Sequence, residues 1–163
     1  LALDVSMRAK LITREGHQKL KDEVDFLWRK ERPRITEIVT WAAGLGDRSE
    51  NADYQYNKRR LREIDRRVRF LRKVLEDIQI VDYHPQQDGK VFFGAWVTLE
   101  DDDEETLRFR IVGGEEIYGR DDYISIDSPM AKACLGKQVD DELVVRAPSG
   151  DKTWYVLDIQ YEK

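Results

Sequence analysis

Three carboxylates lie close together in the chain, and their types and spacing could do chemistry: Asp47, Glu50 and Asp53. One interpretation is structural, because Asp47-x-x-Glu50 has the spacing of a helix capping box and acids stabilise a helix N-terminus. The other is a carboxylate pair that binds a divalent cation. Magnesium takes six oxygen ligands in an octahedron, so two carboxylates make only part of a site, which a partner would complete. The interpretations are compatible if one carboxylate caps the helix while the other points outward.

The residues that follow are strongly basic. Between Lys58 and Lys73, nine Lys and Arg stand against Glu63 and Asp65, a net charge of +7. Such a run is either a solvated helix face or a surface for nucleic acid. We favour nucleic acid or a polymerase channel, because seven of the nine cations are Arg and like charges four residues apart destabilise a helix. The nine cations are Lys58, Arg59, Arg60, Arg62, Arg66, Arg67, Arg69, Arg72 and Lys73.

The chain from Thr13 to about Ile80 is predicted to form two long helices. Its seam residues recur at alternating steps of three and four, which is the period of a coiled coil. In the first arm they are His17, Leu20, Val24, Leu27, Glu31, Ile35, Ile38 and Ala42. In the second they are Tyr54, Asn57, Leu61, Ile64, Val68, Leu71, Leu75 and Ile78. Since this apolar stripe is committed to the partner helix, a membrane-surface role is disfavoured.

A short glycine-rich connection separates the two helices. The glycines of Gly44–Gly46 are predicted to end the first helix, and Asp47 or Ser49 to start the second. So short a connection makes the helices antiparallel, and arms of about 30 residues give a hairpin about 45 Å long. Thr13 is the predicted N-cap of the first helix, and Pro33 predicts a kink or a break within it.

After residue 83 the apolar period changes to two, which is typical of strands. The predicted strands are Val91–Leu99, Thr106–Val112, Tyr123–Ile126, Glu142–Arg146 and Trp154–Tyr161. Ser128 at an N-cap and Pro129 at the first helical position predict a short helix through Leu135. The fold class is therefore α+β, an N-terminal antiparallel coiled-coil hairpin followed by a small antiparallel β domain with one short helix. The predicted boundaries are a tail at 1–12, a hairpin at 13–80 with an acidic tip at 44–54, and a β domain at 84–163.

Composition excludes several classes of protein. Charged residues make up 37% of the chain, and no apolar run approaches the roughly 18 residues that a membrane span needs. The N-terminal apolar stretch is too short for a signal peptide, so we expect a soluble cytoplasmic protein. Cys134 is the one cysteine, which rules out an internal disulfide, and we place it in the core. His17 and His84 lack metal-ligand spacing. Residues 1–83 carry a net charge of +4 and residues 84–163 a net charge of −9.

The tip and the basic arm together match a known signature. The run VTWAAGLGDRSENADY at residues 39–54 resembles that of the bacterial Gre transcript cleavage factors, and QYNKRRLREIDRR at residues 55–67 is similar to the GreB branch. In the second half, GKVFFGAW at 89–96 and ISIDSPMA at 124–131 agree with it. The resemblance runs from Met7 to the C-terminus. Residues 1–6 fall outside it, as a vector remnant or an upstream extension, with Met7 as the natural start.

The resemblance implies that the β domain is FKBP-like and docks at the rim of the secondary channel of bacterial RNA polymerase, while the hairpin enters that channel. The factor would then stimulate the polymerase's own cleavage of the nascent RNA 3′ end in backtracked complexes, without being an enzyme itself. It implies a Mg²⁺ ion shared in the polymerase active site and none bound by the factor alone. We expect a monomer with no membrane partner.

The family's functional residues carry over onto matching positions of this sequence. The two acids that assist catalysis and share the metal match Asp47 and Glu50. The supporting tip residues are Ser49, Asn51, Asp53 and Tyr54. The RNA-binding basic patch matches Lys58, Arg59, Arg60, Arg66 and Arg67. The polymerase-docking loop matches Asp127, Ser128, Pro129 and Met130.

Three other functions stay open at this point. A polymerase-channel inhibitor of the same architecture would bind without promoting cleavage, although the intact Asp47 and Glu50 argue against it. A peptidyl-prolyl isomerase is suggested only by the FKBP-like fold, and fold does not carry activity. A free-standing RNA-binding coiled coil would bind RNA tightly without polymerase.

Overall fold

A computed structural model of the chain describes residues 10–163, which form two compact units. Residues 10–16 and 78–163 make a globular unit, and His17–Asp77 make a helical unit. The predicted α+β class is confirmed, with a helical hairpin and one sheet that is mostly antiparallel. The interpretation of residues 1–6 falls outside the described part of the chain. No helix within residues 10–163 is both long and apolar enough to cross a bilayer.

The hairpin is built from helix α1 (Arg14–Phe26), a π-helical turn (Leu27–Glu31), α2 (Arg32–Ala43) and α3 (Ala52–Asp77). The predicted cap of α1 is confirmed, because Thr13 Oγ1 accepts a hydrogen bond from the Gly16 N–H at 3.1 Å. Every predicted seam residue is buried or half-buried. The hairpin core contains Leu27, Ile35, Ile64 and Val68.

The first arm does not break at Pro33. Proline lacks an N–H and its ring crowds the carbonyl four residues earlier, so a regular α-turn there would be strained. Instead, the Arg32 N–H bonds to the Leu27 carbonyl, five residues back, in the turn that directly precedes Pro33. Glu31 and Arg32 keep helical dihedral angles, so α2 continues from this wider turn. Of the predicted kink or break, the break is therefore absent, and the irregularity before Pro33 is the π-helical turn.

Five strands form the main sheet in the order β5-β4-β3-β7-β6. They are β3 (Trp96–Asp101), β4 (Thr106–Val112), β5 (Tyr123–Ser125), β6 (Glu142–Ala147) and β7 (Gly150–Gln160). All neighbours are antiparallel except β4 and β5, which are parallel. A separate parallel pair, β1 (Leu11–Ile12) and β2 (Gln79–Ile80), joins the chain segments before and after the hairpin.

Two strands differ by more than one residue from their predicted bounds. β3 starts at Trp96 instead of Val91, because a turn at Gly94, with φ of +88°, occupies the preceding residues. β7 begins at Gly150, where the polar residues that precede Trp154 pair with β6. The short helix α4 (Pro129–Cys134) is confirmed with Ser128 as its N-cap.

The core of the globular unit lies between the sheet and α4. Val97, Leu99, Ile111 and Val156 on the sheet are fully buried, as is Cys134 on α4. Burial raises the pKa of the Cys134 thiol to about 12, so it is not a nucleophile at neutral pH. The predicted core role of this cysteine is confirmed.

The start of α1 is anchored to the globular unit by Glu116. Its carboxylate accepts hydrogen bonds from the Thr13 N–H at 3.0 Å, the Thr13 hydroxyl and the Gly113 N–H at 2.8 Å. Two close approaches require glycine here. A Cβ at Gly113 would lie 1.9 Å from the Leu11 carbonyl oxygen, and one at Gly16 would lie 2.1 Å from a Glu116 carboxylate oxygen.

Candidate functional site

The turn between α2 and α3 presents a run of exposed residues, 44–50. The Gly44 N–H closes α2 on the carbonyls of Thr40 and Trp41, and the Leu45 N–H bonds to the Ala42 carbonyl. Gly46 then adopts φ of +115°, a conformation that favours glycine. The glycines therefore end the first helix as predicted.

Asp47 organises the turn that carries it. Its Oδ1 accepts hydrogen bonds from the Ser49 backbone N–H at 2.9 Å and from the Ser49 hydroxyl at 2.7 Å. These bonds hold the pKa of the Asp47 carboxyl below its ordinary value. Asp47 therefore keeps its negative charge to lower pH than a free aspartate while remaining exposed.

Glu50 and Asp53 are exposed, and their carboxylates make no hydrogen bond or ion pair with any residue in the described range 10–163. Glu50 lies two residues before α3, and Asp53 lies in its first turn. Near a helix N-terminus, negative charge is favoured by the helix dipole. The tip thus displays anionic oxygens that no cation of the described chain neutralises.

Asn51 is the N-cap of α3, and the predicted start at Asp47 or Ser49 was wrong. The Asn51 Oδ1 accepts from the Tyr54 N–H at 3.1 Å, three residues into the helix. Its Nδ2 donates to the Ala42 carbonyl at 2.8 Å, which ties the end of α2 to the start of α3. The capping box at Asp47 and Glu50 is not formed, because the Asp47 carboxylate is engaged within its own turn.

Replacing Asn51 by alanine is expected to destabilise the hairpin by about 1–2 kcal/mol, since both the cap and the link to α2 are lost. Asn51→Asp is the matched control, because it keeps the acceptor for the Tyr54 N–H and loses only the donor to Ala42. The helical signal in urea unfolding measures the difference. Equal stability of Asn51→Ala and the unaltered protein would contradict this role.

Two further contacts hold the turn against α3. The Arg48 guanidinium lies 5.7 Å from the centroid of the Tyr54 ring. The Gln55 side-chain amide donates to the Arg48 carbonyl at 2.7 Å. Tyr54, predicted as a supporting residue, therefore contacts the turn that carries Asp47.

The residues of the predicted basic patch differ in whether they form an ion pair with an acidic side chain. Arg67 makes a bidentate pair with Glu23 of α1, at 2.7 and 3.0 Å, and Arg60 is 3.5 Å from Glu63. The others are exposed and have no acid within 4.0 Å in the described residues: Lys58, Arg59 and Arg66. These three have the most available charge, while Arg67 also joins the two arms.

The predicted docking loop precedes and begins α4. Asp127 is exposed, and its N–H bonds to the Ser125 hydroxyl at 3.1 Å. The Ser128 hydroxyl accepts from the Ala131 N–H at 3.2 Å, and Pro129 is exposed at the first helical position. Met130 packs partly against the core, so Asp127 and Pro129 offer the more accessible surface.

Comparisons with known proteins agree with both halves of this architecture. A model described as transcription elongation factor, N-terminal, matches residues 10–80, and one described as transcription elongation factor, GreA/GreB, C-term, matches residues 86–161. The chain belongs to the GreA/GreB family of transcription elongation factors. The N-terminal family model thus covers the hairpin, and the C-terminal model covers most of the globular unit.

Curated relatives place the chain in the GreB branch of the family. Transcription elongation factor GreB of Vibrio parahaemolyticus is 66% identical over 158 residues, covering 96% of this chain and 97% of the relative. GreB of Pseudomonas putida is 66% identical over 155 residues, covering 95% and 96%. A solved structure of the transcription factor Gfh1 is 26% identical and covers 94% of this chain and 98% of its own, with a TM-score of 0.45.

The tip fits a shared metal site better than a complete one. Within residues 10–163 no group of three or more His, Cys, Asp or Glu side chains could hold a metal ion. Asp47 and Glu50 nonetheless offer carboxylate oxygens, the ligands that Mg²⁺ prefers, on an exposed turn. They could supply part of a coordination shell whose other ligands come from elsewhere.

The sequence pattern does not mark Trp28 as a functional residue. Trp28, in the π-helical turn, is 44% exposed and contacts two guanidinium groups. Trp28 follows the seam residue Leu27 but does not belong to the predicted seam, so only the structure reveals its neighbours.

Proposed function

We propose that this family member binds RNA polymerase through the enzyme's secondary channel and stimulates the polymerase's own Mg²⁺-dependent cleavage of the RNA 3′ end in backtracked complexes. The observation that carries the proposal is the pair Asp47 and Glu50, exposed on the hairpin turn with no cation of the described chain bound to them. The GreB relatives support the elongation role. The protein would act in the bacterial cytoplasm as a monomer.

Each tip residue has a physical task in this proposal. Asp47 and Glu50 would hold a Mg²⁺ ion together with ligands of the polymerase, and such an ion activates water and stabilises the charge of phosphodiester hydrolysis. Hydrogen bonds from Ser49 lower the pKa of the Asp47 carboxyl and orient it. Asn51 fixes the turn on both helices, so the carboxylates are presented by a rigid element.

The remaining site residues would position the partner molecules. Asp127 and Pro129, which are exposed on either side of the half-buried Ser128, would dock at the rim of the channel. Lys58, Arg59 and Arg66 would bind the phosphates of extruded RNA, because their charges are not used within the described chain.

The test is to add purified protein to a halted, backtracked complex that carries labelled RNA, with and without Mg²⁺. Shortened RNA 3′ ends should appear only when protein, polymerase and Mg²⁺ are all present. The protein incubated with the RNA alone should give no cleavage. Binding to polymerase without any cleavage would instead identify a channel inhibitor.

The basic patch leads to a separate expectation. Arg59→Ser with Arg66→Ser should impair rescue of long backtracks more than short ones, because only long backtracks extrude enough RNA to reach the patch. The logarithm of the RNA-binding constant falls linearly with the logarithm of the salt concentration. Losing two phosphate contacts should reduce the magnitude of that slope by about 1.4. The control is Lys19→Ser with Lys21→Ser, two exposed cations on the other arm. Equal loss on long and short backtracks would count against an RNA-holding role.

A further inference from the structure

A groove on the helical unit is lined by charged residues and a tryptophan that have no role in the proposed chemistry of the tip. It has a volume of about 590 Å³ and lies between the π-helical turn and the C-terminal half of α3. Val68 is buried among its lining residues, and Trp28 is half-exposed at its wall. We call it the Trp28 groove. Its charged lining residues are Arg32, Asp65, Arg69, Arg72, Lys73 and Glu76.

The tryptophan ring is already covered by cations. The guanidinium carbon of Arg72 lies 4.8 Å from the ring centroid, and that of Arg32 lies 5.2 Å from it. Arg32 also pairs with Asp65 at 2.8 Å. A guanidinium stacked on an aromatic ring keeps N–H donors at its edge, and these suit bidentate binding of a carboxylate.

Three cations of the groove have no acidic partner. Arg69, Arg72 and Lys73 are exposed and have no carboxylate within 4.0 Å in the described chain, although Glu76 follows on the same helix. Arg69 and Lys73 are four residues apart, a spacing at which like charges destabilise a helix. An external anionic partner would relieve this repulsion.

We infer that the Trp28 groove docks an acidic protein segment on the surface of RNA polymerase. The carboxylates of that segment would accept hydrogen bonds from Arg69, Arg72 and Lys73, with Trp28 as the central anchor. This rests on the proposed function, since it takes the polymerase as partner. Tryptophan and arginine over an apolar floor are the residue types that dominate protein interfaces.

The experiment measures binding of the full-length protein to core RNA polymerase that contains no nucleic acid, so that RNA contacts are excluded. Arg69→Gln with Lys73→Gln should weaken binding by at least about tenfold, and the deficit should shrink between about 50 mM and about 200 mM salt. The matched control, Lys19→Gln with Lys21→Gln, removes two exposed cations from α1 and should bind within about twofold of the unaltered protein.

Both pairs of side chains are exposed, so neither double substitution removes a buried residue of the seam. A circular-dichroism melt of each variant checks its folding. Trp28→Ala provides a second, uncharged test and should also weaken polymerase binding about tenfold, whereas Trp28→Phe should retain most of it.

The outcomes separate the two proposals. If the unaltered protein binds polymerase and Arg69→Gln with Lys73→Gln binds equally well, the groove inference is overturned and the proposed function stands. If the unaltered protein neither binds polymerase nor stimulates cleavage, both are overturned. A variant that binds polymerase normally but loses affinity for a labelled single-stranded RNA would assign the groove to RNA and overturn the protein-docking inference.

Discussion

Replacing Asp47 or Glu50 by alanine is expected to reduce stimulated RNA cleavage by about 100-fold or more, with polymerase binding within about twofold of the unaltered protein. Each substitution removes carboxylate oxygens from the tip without touching the docking loop or the basic patch. The measurement compares the rate of RNA 3′-end cleavage in backtracked complexes with the affinity for polymerase.

Two controls make this result specific. Glu37→Ala removes an exposed acid from α2 and should leave the cleavage rate unchanged. Asp47→Asn keeps the size of the side chain and much of its bonding to Ser49, yet should fail like Asp47→Ala because the charge is lost. Cleavage at the normal rate by both alanine variants would remove the basis of the proposed function.

The pH dependence of cleavage gives an independent check on Asp47. The Ser49 hydrogen bonds lower its pKa, so Asp47 remains charged as pH falls until that depressed pKa is reached. Removing the hydroxyl in Ser49→Ala raises the pKa of Asp47 towards its ordinary value. Loss of cleavage on acidification should therefore begin at higher pH in this variant.

The second large effect is structural. Gly113→Ala should destabilise the globular unit by about 3 kcal/mol, because the new Cβ would lie 1.9 Å from the Leu11 carbonyl oxygen and the backbone of β1 would have to move. In a unit of this size, such a loss corresponds to a fall in melting temperature of about 12–24 °C. The near-ultraviolet circular-dichroism transition of the globular unit reports it.

The neighbouring glycine supplies the matched control. A Cβ at Gly114 would lie 3.6 Å from the Ser125 hydroxyl oxygen, an ordinary contact, so Gly114→Ala should melt within about 2 °C of the unaltered protein. The melting temperature of Gly16→Ala should lie between those of the other two variants. The new Cβ would displace the Glu116 side chain, which is flexible but hydrogen-bonded. Identical melting of the Gly113 and Gly114 variants would show that the close approach to Leu11 is not rigid.

The elements that the sequence predicted well are those with long, regular patterns. The seam of α3 repeats over more than three heptads, and each member is buried or half-buried. The Ser128-Pro129 pair marks the start of α4 by two independent local preferences, and both act as expected.

Other features depend on choices that local sequence leaves open. Several residues near the tip are good helix caps, and only packing on the Ala42 carbonyl selects Asn51. Pro33 can be accommodated by a break or by a π-helical turn, and seam burial on both sides favours the turn. Strands β1 and β2 have two residues each, too few for a period, and the Glu116 bonds to Thr13 span 103 positions of the chain.

The pairing of β1 with β2 holds the two ends of the hairpin segment next to each other. Leu11 lies opposite Gln79 and Ile12 opposite Ile80, so the polypeptide leaves and re-enters the globular unit at adjacent points. Residues 17–77 are thus an insertion whose two ends are already held side by side. A hairpin of another length could therefore replace residues 17–77 between the same two strands, without a change to the globular unit.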